Sequence, residues 1–425
     1  MFGKKKSYTE QPLGYWEQAS YFMAIPEEGD NKWTPDKIVE AIKEIEGVEI
    51  KNTSIDGDTQ VFYVLMNYDG EEYQAGFCPG GFSLPESFAY GMRNFAPEEA
   101  EKMKSAKEAM TISMAFKSEP KKSFHLQLKL AVAVVPNLIG LVDESAERVF
   151  HPKWAKLAAQ SKVSPAAGDL FGVQAVSAES GAVWLHTHGL CRCGLTELEI
   201  LNSDVKNYNN HYNLLFSFAS YLLDNTNKDF DPAKDIAYIG LLTGNIPVVA
   251  TCRSWTAALN EYGKLELGGE KDRQEAHNSR TSPVFIYKSP EDMKKGKLTK
   301  VNEYDKLWGE NPIFFFSDAE TARMKALAEE RFDYVKRAFE NKENHILIKI
   351  GLETDHEDNN LEHIWFELTE LAGDKFRARL TQEPYDVSGI HQGDEREFTV
   401  KDITDWIIYT PKLGISPSDV YLLDV

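Results

Sequence analysis

The pattern of apolar and polar positions predicts a small α+β unit over residues 1–95. Thr34 can cap a helix that begins at Pro35 and ends at Gly47, with apolar side chains at helical spacing between them. Apolar runs that predict strands surround this helix, and they lie at Tyr21–Ile25, Val48–Ile50, Gln60–Met66 and Tyr73–Phe77. Pro79-Gly80-Gly81 predicts a turn after the last of them. The resulting order is typical of an α/β sandwich with a mixed or antiparallel sheet.

Residues 96–340 predict a larger α+β domain. Its predicted elements are a helix at Pro97, strands at Met110–Phe116 and Leu138–Val142, a helix at Pro152–Gln160, a hairpin of Leu170–Val176 with Ala182–His188, helices over 204–223 and 317–339, and strands at Ile236–Leu242, Val248–Arg253 and Ile313–Phe316. Charged residues, glycines and prolines predict long loops over 263–311, with one strand at Val284–Tyr287. Leu126–Val134 alternates with a period of two, which favours a strand, but its apolar character also fits a buried helix.

Residues 341–425 predict a small module that is mostly β. Four short apolar segments, at Ile346–Ile350, Ile364–Leu368, Phe376–Leu380 and Glu397–Val400, alternate with turn sequences such as Gly373-Asp374 and Gly393-Asp394. Short strands with regular turns are typical of a small barrel or curled sheet. The whole chain is therefore predicted to be an α+β protein, with N-terminal α/β sandwich units followed by a barrel-like C-terminal module.

Charge narrows the classes of partner. The formal net charge of the 425 residues is -20, which disfavours binding to nucleic acids and to anionic membrane surfaces. The longest apolar run, Leu130–Val142, is interrupted at Pro136 and is shorter than the ~20 residues that a bilayer requires. The four cysteines are too few for a disulfide scaffold, and no apolar signal core follows Met1. A cytoplasmic protein with reduced thiols is the expectation.

The densest group of chemically capable side chains lies at Trp184–Glu199. Alternation along a strand places Trp184, His186 and His188 on one face. Two imidazoles at this spacing can bind a divalent metal such as zinc, and the thiols of Cys191 and Cys193 are further candidate ligands. A metal with an open coordination position could activate water for hydrolysis.

A simpler interpretation of the same residues is favoured. A His-x-His pair lacks the spacing of a closed zinc site, and the histidines can instead bond within a packed sheet. Trp184, Arg192, Glu197 and Glu199 are then candidate binding residues, and Arg192 is expected to pair with a carboxylate. Glycine-rich phosphate loops, HExxH zinc motifs and nucleophile elbows do not occur in the sequence.

Several motifs in the last fifth of the chain resemble a known family. Glu362-His363-Ile364-Trp365-Phe366-Glu367 begins the pattern, and Gly373-Asp374, Glu383-Pro384, Gly393-Asp394 and Ile403-Thr404-Asp405-Trp406 follow in order. This part resembles the bacterial domain-of-unknown-function 2314 family. The rest, including Trp184–Leu190 and Glu197-Leu198-Glu199, resembles the uncharacterised bacterial family 4026. Neither resemblance implies an established activity, so no catalytic role is carried over.

Two functions are consistent with these observations. The favoured hypothesis is a non-catalytic bacterial protein that binds another protein, because an acidic, aromatic-rich chain with few motifs suits a basic partner. A toxin-neutralising, immunity-type role is one form of it, by analogy. The alternative is a metal-dependent hydrolase centred on His186 and His188, which would need further ligands that converge on a pocket.

Overall fold

Three β-sheets with associated helices organise the computed structural model of the chain, which describes residues 18–29, 31–225, 236–242, 246–273, 281–306, 313–355 and 361–423. These residues divide into two units. The first unit lies within Met1–Ala155 and Pro165–Ser317, and the second within Lys156–Ser164 and Asp318–Val425. The predicted α+β class with a β-rich C-terminal module is confirmed.

The first sheet of the first unit has seven antiparallel strands in the order β2-β3-β4-β5-β1-β6-β7. Its strands are β1 (Ala19–Pro26), β2 (Val48–Ile55), β3 (Phe62–Tyr68), β4 (Glu71–Gly81), β5 (Glu108–Ala115), β6 (Leu138–Asp143) and β7 (Arg148–Phe150). The helices of this region are α1 (Pro35–Lys43), α2 (Glu86–Ala89), α3 (Pro97–Ser105), α4 (Pro120–Val134) and α5 (Pro152–Gln160), and the residues of α5 from Lys156 onward belong to the second unit. Strands β4 and β5 pair although the predicted boundary at residue 95 lies between them.

Local signals explain α1. The Thr34 hydroxyl accepts a hydrogen bond from the Lys37 amide, Pro35 occupies the first turn, and Ile38 and Ile42 are buried. Gly47 follows with a positive φ of 82°.

Two features of this region could not be predicted from the sequence alone. Leu126–Val134 lies in helix α4, whose buried residues surround the helix, so that no polar face reveals the helical period. The turn predicted at Pro79-Gly80-Gly81 is wrong, because these residues end strand β4. Strand β3 pairs with β4 only as far as Phe77, so beyond that residue β4 bonds to β5 alone and tolerates a proline.

The second sheet has the strand order β15-β11-β12-β13-β10-β9-β8, and β14 pairs with β13 beside this path. Its strands are β8 (Gly172–Ser177), β9 (Ala182–His188), β10 (Glu197–Asp204), β11 (Ala237–Leu242), β12 (Ile246–Cys252), β13 (Thr281–Ile286), β14 (Thr299–Lys300) and β15 (Ile313–Phe314). The helices that accompany it are α6 (Tyr208–Asp224), α7 (Trp255–Tyr262) and α8 (Pro290–Lys294). Strands β10 and β13 are parallel, and the predicted hairpin of β8 and β9 is confirmed.

The region 263–311, for which long loops are predicted, holds short elements in its described part. They are β13, α8, β14 and two 3₁₀ helices, at Glu270–Asp272 and Val301–Tyr304. Most of these elements have two to five residues, which is too few for a hydrophobic period to show in the sequence.

The second unit packs two helices on a six-stranded antiparallel sheet with the order β19-β18-β17-β16-β20-β21. Its elements are α9 (Asp318–Glu330), α10 (Phe332–Phe339), β16 (His345–Glu353), β17 (Leu361–Ala372), β18 (Lys375–Leu380), β19 (Glu395–Thr399), β20 (Ile403–Tyr409) and β21 (Gly414–Ile415). One helix is predicted over 317–339, but the structure divides it at Arg331, whose guanidinium donates a hydrogen bond to the Pro417 carbonyl. Trp406 is fully buried in this core, and its indole donates to the Ala328 carbonyl.

None of the described helices combines the length and the apolar composition that crossing a membrane would require.

Candidate functional site

The candidate cluster lies on β9, on β10 and in the turn between them. Strand β9 is bonded on both sides, to β8 and to β10. Trp184, His186 and His188 share one face, as predicted: the ring centroids of Trp184 and His186 are 4.4 Å apart, and those of His186 and His188 are 4.8 Å apart. All three side chains are buried. The cluster is therefore part of the interior of the first unit.

His188 belongs to a polar row that crosses to β8. Its Nε2 lies 3.1 Å from Gln174 Oε1, and its Nδ1 lies 3.6 Å from Glu147 Oε1. The Gln174 amide also donates to the Glu147 carboxylate. These contacts orient the imidazole, and a metal at either ring nitrogen would have to replace one of them.

Glu197 closes the turn after β9. One carboxylate oxygen accepts from the Thr187 hydroxyl at 2.7 Å, and the other accepts from the amides of Gly189 and Cys191 at 2.8 and 2.9 Å. Gly189 has a φ of 108°, and a Cβ there would lie 2.6 Å from the Leu170 carbonyl oxygen. Both carboxylate oxygens of Glu197 therefore already accept hydrogen bonds from groups of the protein itself.

Glu199 forms the centre of a second buried network. Its carboxylate accepts from the Trp184 indole at 2.8 Å, from the Thr281 hydroxyl at 3.0 Å and from the Arg273 guanidinium at 2.7 and 2.9 Å. The guanidinium also lies over the rings of Trp184 and Trp255, at 5.6 and 4.6 Å from their centroids. Sequence reasoning did not identify Arg273, because it lies 74 positions from Glu199 and in no motif.

Arg192 pairs with a carboxylate, which confirms the expectation for this residue. Its guanidinium makes two parallel hydrogen bonds to Asp143, at 2.8 and 2.7 Å, and also donates to the Ser20 hydroxyl and the Leu170 carbonyl. Both charged groups are completely inaccessible to solvent. Ser20 and Asp143 belong to the first sheet, so this pair fastens the turn after β9 to that sheet.

The cysteines lie in a 3₁₀ helix, Cys191–Cys193, that follows Gly189. Cys193 Sγ donates to the Gly189 carbonyl over 3.6 Å. Burial raises the pKa of the Cys193 thiol to about 12, so the thiol keeps its proton in the metal-free protein. Both cysteines are free thiols.

A row of serine, histidine and aspartate was not predicted from the sequence. Ser203 Oγ lies 2.7 Å from His211 Nδ1, and His211 Nε2 lies 2.8 Å from Asp305 Oδ1. These residue types occur in nucleophilic relays, but Ser203 is only 3% exposed. The row connects β10 and α6 to Asp305, the residue that follows the 3₁₀ helix Val301–Tyr304. Such a buried connection between elements is a structural role.

Comparison with known families gives matches along most of the chain. A family described as "Protein of unknown function (DUF4026)" matches residues 20–165 with its N-terminal model and residues 173–285 with its C-terminal model, together more than half of the chain. The chain belongs to this family. A second family, "Uncharacterized protein conserved in bacteria (DUF2314)", matches residues 318–414, so both predicted resemblances are confirmed. No curated protein and no solved structure matches the chain.

The two residues of the Arg192–Asp143 pair lie in different parts of the DUF4026 region. Asp143 lies in the part that the N-terminal DUF4026 model matches, and Arg192 in the part that the C-terminal model matches. The buried pair therefore joins the two parts of the DUF4026 region.

The structure brings together only some of the predicted metal ligands. His186 and His188 are neighbours, but within the described ranges no group of three or more His, Cys, Asp or Glu side chains is arranged to hold a metal ion. Glu197 and Glu199 are occupied by protein donors. The metal site and the hydrolase function that depends on it stay predictions.

Elemental analysis of the purified DUF4026 protein tests that site. We expect well below one zinc ion per chain after incubation with zinc and desalting, because the nearby carboxylates already bond to protein groups. The same measurement on a His186→Ala/His188→Ala variant should give the same background. About one equivalent of zinc in the wild type that is lost in the variant would revive the hydrolase hypothesis.

Proposed function

We propose that this chain binds another protein, one with a basic surface, through an acidic surface of its second unit that is centred on Tyr385. Tyr385 lies between β18 and β19, and its side chain is 88% exposed. Exposed tyrosines are effective binding residues, because they bring a large contact area at a small loss of conformational entropy. This side chain is the observation that carries the proposal.

The segment that carries Tyr385 is held in place by hydrogen bonds. The Glu362 carboxylate accepts from the amides of Tyr385 and Asp386, each at 2.8 Å. Asp355 donates its amide to the Asp386 carbonyl and accepts from the Ser388 amide. A binding residue on a preorganised segment loses less entropy when a partner docks. Glu362 belongs to one of the DUF2314-like motifs, so this motif has a structural purpose here.

The charge around Tyr385 favours a basic partner. The sequence stretches 350–373 and 380–395 contain no lysine and no arginine. The acidic residues of these stretches that the structure describes are Glu353, Asp355, Glu362, Glu367, Glu370, Glu383, Asp386, Asp394 and Glu395. Glu367 and Glu395 form ion pairs with Arg379, and Glu370 forms one with Arg377. The other carboxylates leave this surface with an excess of negative charge, which would attract a positively charged protein and increase its association rate.

The burial of the cluster at Trp184–Glu199 indirectly supports a binding surface in another part of the chain. Arg192, Glu197 and Glu199 are matched by groups within the first unit and are buried. Side chains in that position are better suited to stabilising the fold than to meeting a ligand.

Affinity capture with the full chain tests the proposal. The protein is immobilised, exposed to lysate of the source organism at moderate salt, and the captured proteins are identified and quantified. We expect a basic protein whose capture falls by about 30-fold in Tyr385→Ala, equivalent to about 2 kcal/mol for a central binding residue.

Tyr90→Ala is the matched control, because Tyr90 is also strongly exposed, at 78%, but lies in the first unit. It should capture the same protein as the wild type. The proposal fails if no protein is captured, or if Tyr385→Ala captures its partner as well as Tyr90→Ala does.

A further inference from the structure

Arg148, on β7, has a guanidinium that the protein holds in place but uses only in part. One terminal nitrogen, Nη1, donates to the carbonyls of Gly168 and Phe171, at 2.6 and 3.0 Å. The guanidinium carbon also lies 5.0 Å from the centroid of the Phe150 ring. The side chain is half-buried, and its Nε–Nη2 edge takes part in none of these hydrogen bonds. Such an edge presents two parallel N–H donors, which suit an oxyanion.

The charge of Arg148 has no carboxylate partner among the contacts of the described residues. Three carboxylates are candidates by position: the one before Arg148 in the chain, the one opposite it on β6, and one in the segment 168–171. Glu147, Asp143 and Asp169 instead bond to the Gln174 amide, the Arg192 guanidinium and the Ala166 amide, respectively. A half-buried charge that lacks a counterion attracts an anion more strongly than a fully hydrated one does.

An aromatic row on α6 places a phenol near Arg148. The ring of Tyr212 stacks on that of Phe216, with centroids 6.2 Å apart, and Phe216 contacts Phe171 at 5.2 Å. Phe171 is the residue whose carbonyl accepts from Arg148, and a Cβ at Gly168 would collide with the Phe216 ring. The segment that holds the guanidinium is thus packed directly against this row. The half-buried Tyr212 makes no hydrogen bond through its hydroxyl among the described contacts, so the hydroxyl is available to a ligand.

The charges around Tyr212 are positive. Burial, the largest effect, raises the pKa of its phenol, whereas the charges of Arg148 and Arg93 act in the opposite direction. Among the described groups, the only other contribution comes from the phenol of Tyr208, which is neutral at pH 7, and no carboxylate contributes. Arg93 is exposed. Two guanidinium groups therefore dominate the field at this hydroxyl, although the net charge of the chain is -20.

We propose that Arg148, Arg93 and Tyr212 form a binding site for the phosphate group of a small phosphate monoester. The Nε–Nη2 edge of Arg148 would donate to two phosphate oxygens, the Tyr212 hydroxyl would donate to one of them, and Arg93 would supply the second positive charge. A phosphate monoester carries about two negative charges at pH 7 and has three acceptor oxygens, which matches this set of donors. The net negative charge of the whole chain disfavours a polyanion such as a nucleic acid. The site belongs to the first unit, so it is separate from the proposed acidic surface around Tyr385.

The test is a calorimetric titration of the full chain with phenyl phosphate at pH 7.5, and with phenyl sulfate, which has a similar shape but a single negative charge. We expect phenyl phosphate to bind about tenfold more tightly. Arg148→Lys keeps the charge but loses the parallel donors, and it should weaken binding by a similar factor. Tyr212→Phe, which preserves the ring, and Arg93→Ala should each weaken it about fivefold. Arg337→Ala is the matched control, since Arg337 is an exposed arginine 4.4 Å from the ring of Tyr334 in the second unit.

The inference is overturned if phenyl phosphate does not bind, or if it binds no more tightly than phenyl sulfate. It is also overturned if Arg93→Ala and Tyr212→Phe, both shown to be folded by circular dichroism, bind phenyl phosphate as Arg337→Ala does. These two variants keep the inference falsifiable even if Arg148→Lys does not fold, because neither removes a hydrogen bond of the described structure.

Discussion

Asp143→Ala is expected to lower the free energy of unfolding of the first unit by about 3–5 kcal/mol, which is typical when one partner of a buried ion pair is removed. Arg192 would then keep its charge where solvent cannot reach it, with only the Ser20 hydroxyl and the Leu170 carbonyl as partners. The guanidinium also lies over the rings of Phe116 and Phe124, which cannot neutralise it. Denaturant unfolding followed by near-ultraviolet circular dichroism measures this loss.

Two further variants isolate the cause. Asp143→Leu combined with Arg192→Met should recover most of the stability, because apolar groups of similar size can replace a buried pair at little loss. Glu291→Ala removes the exposed pair with Lys295 and should change the free energy of unfolding by less than about 1 kcal/mol. If Asp143→Ala costs no more than Glu291→Ala, the pair does not hold the two parts of the DUF4026 region together.

Predictions from the sequence succeeded where the determining contacts are local. Helix α1 is bounded by Thr34 and Gly47, which act on residues one turn away. The shared face of Trp184, His186 and His188 follows from the geometry of any strand. That Arg192 pairs with some carboxylate could be predicted, since a buried arginine requires an anion. Which carboxylate it pairs with could not be predicted, because Asp143 lies 49 positions away.

The role of the cluster could not be predicted, because burial depends on neighbours that are distant in sequence. His186 and Glu199 alternate with apolar residues, as they would on a half-exposed strand. They are buried because residues distant in sequence cover this face of the sheet, among them Arg273, which bonds to Glu199 and lies over Trp184. The same reasoning explains α4, whose apolar residues gave a strand-like period because the helix is surrounded by protein. Capable side chains therefore indicate a site only once their exposure is known.

Glu199→Ala is the second change with a large expected effect, a loss of about 3–5 kcal/mol in the free energy of unfolding of the first unit. It removes the acceptor of the Trp184 indole and leaves the Arg273 guanidinium without its carboxylate. Chemical denaturation, as for Asp143→Ala, provides the measurement. Glu199→Gln should lose less, because its amide oxygen still accepts from one of these donors.

The sign of this effect separates the two hypotheses for the cluster. Residues that serve a ligand are often arranged at some loss of stability, so replacing them can stabilise a protein. Residues that serve the fold destabilise it when they are removed. Asp143 and Glu199 have no common partner among the described contacts, so the effects of the two replacements should add within about 0.5 kcal/mol. A Glu199→Ala protein that is as stable as the wild type, or more stable, would contradict the structural role. It would support a functional role for His186 and His188.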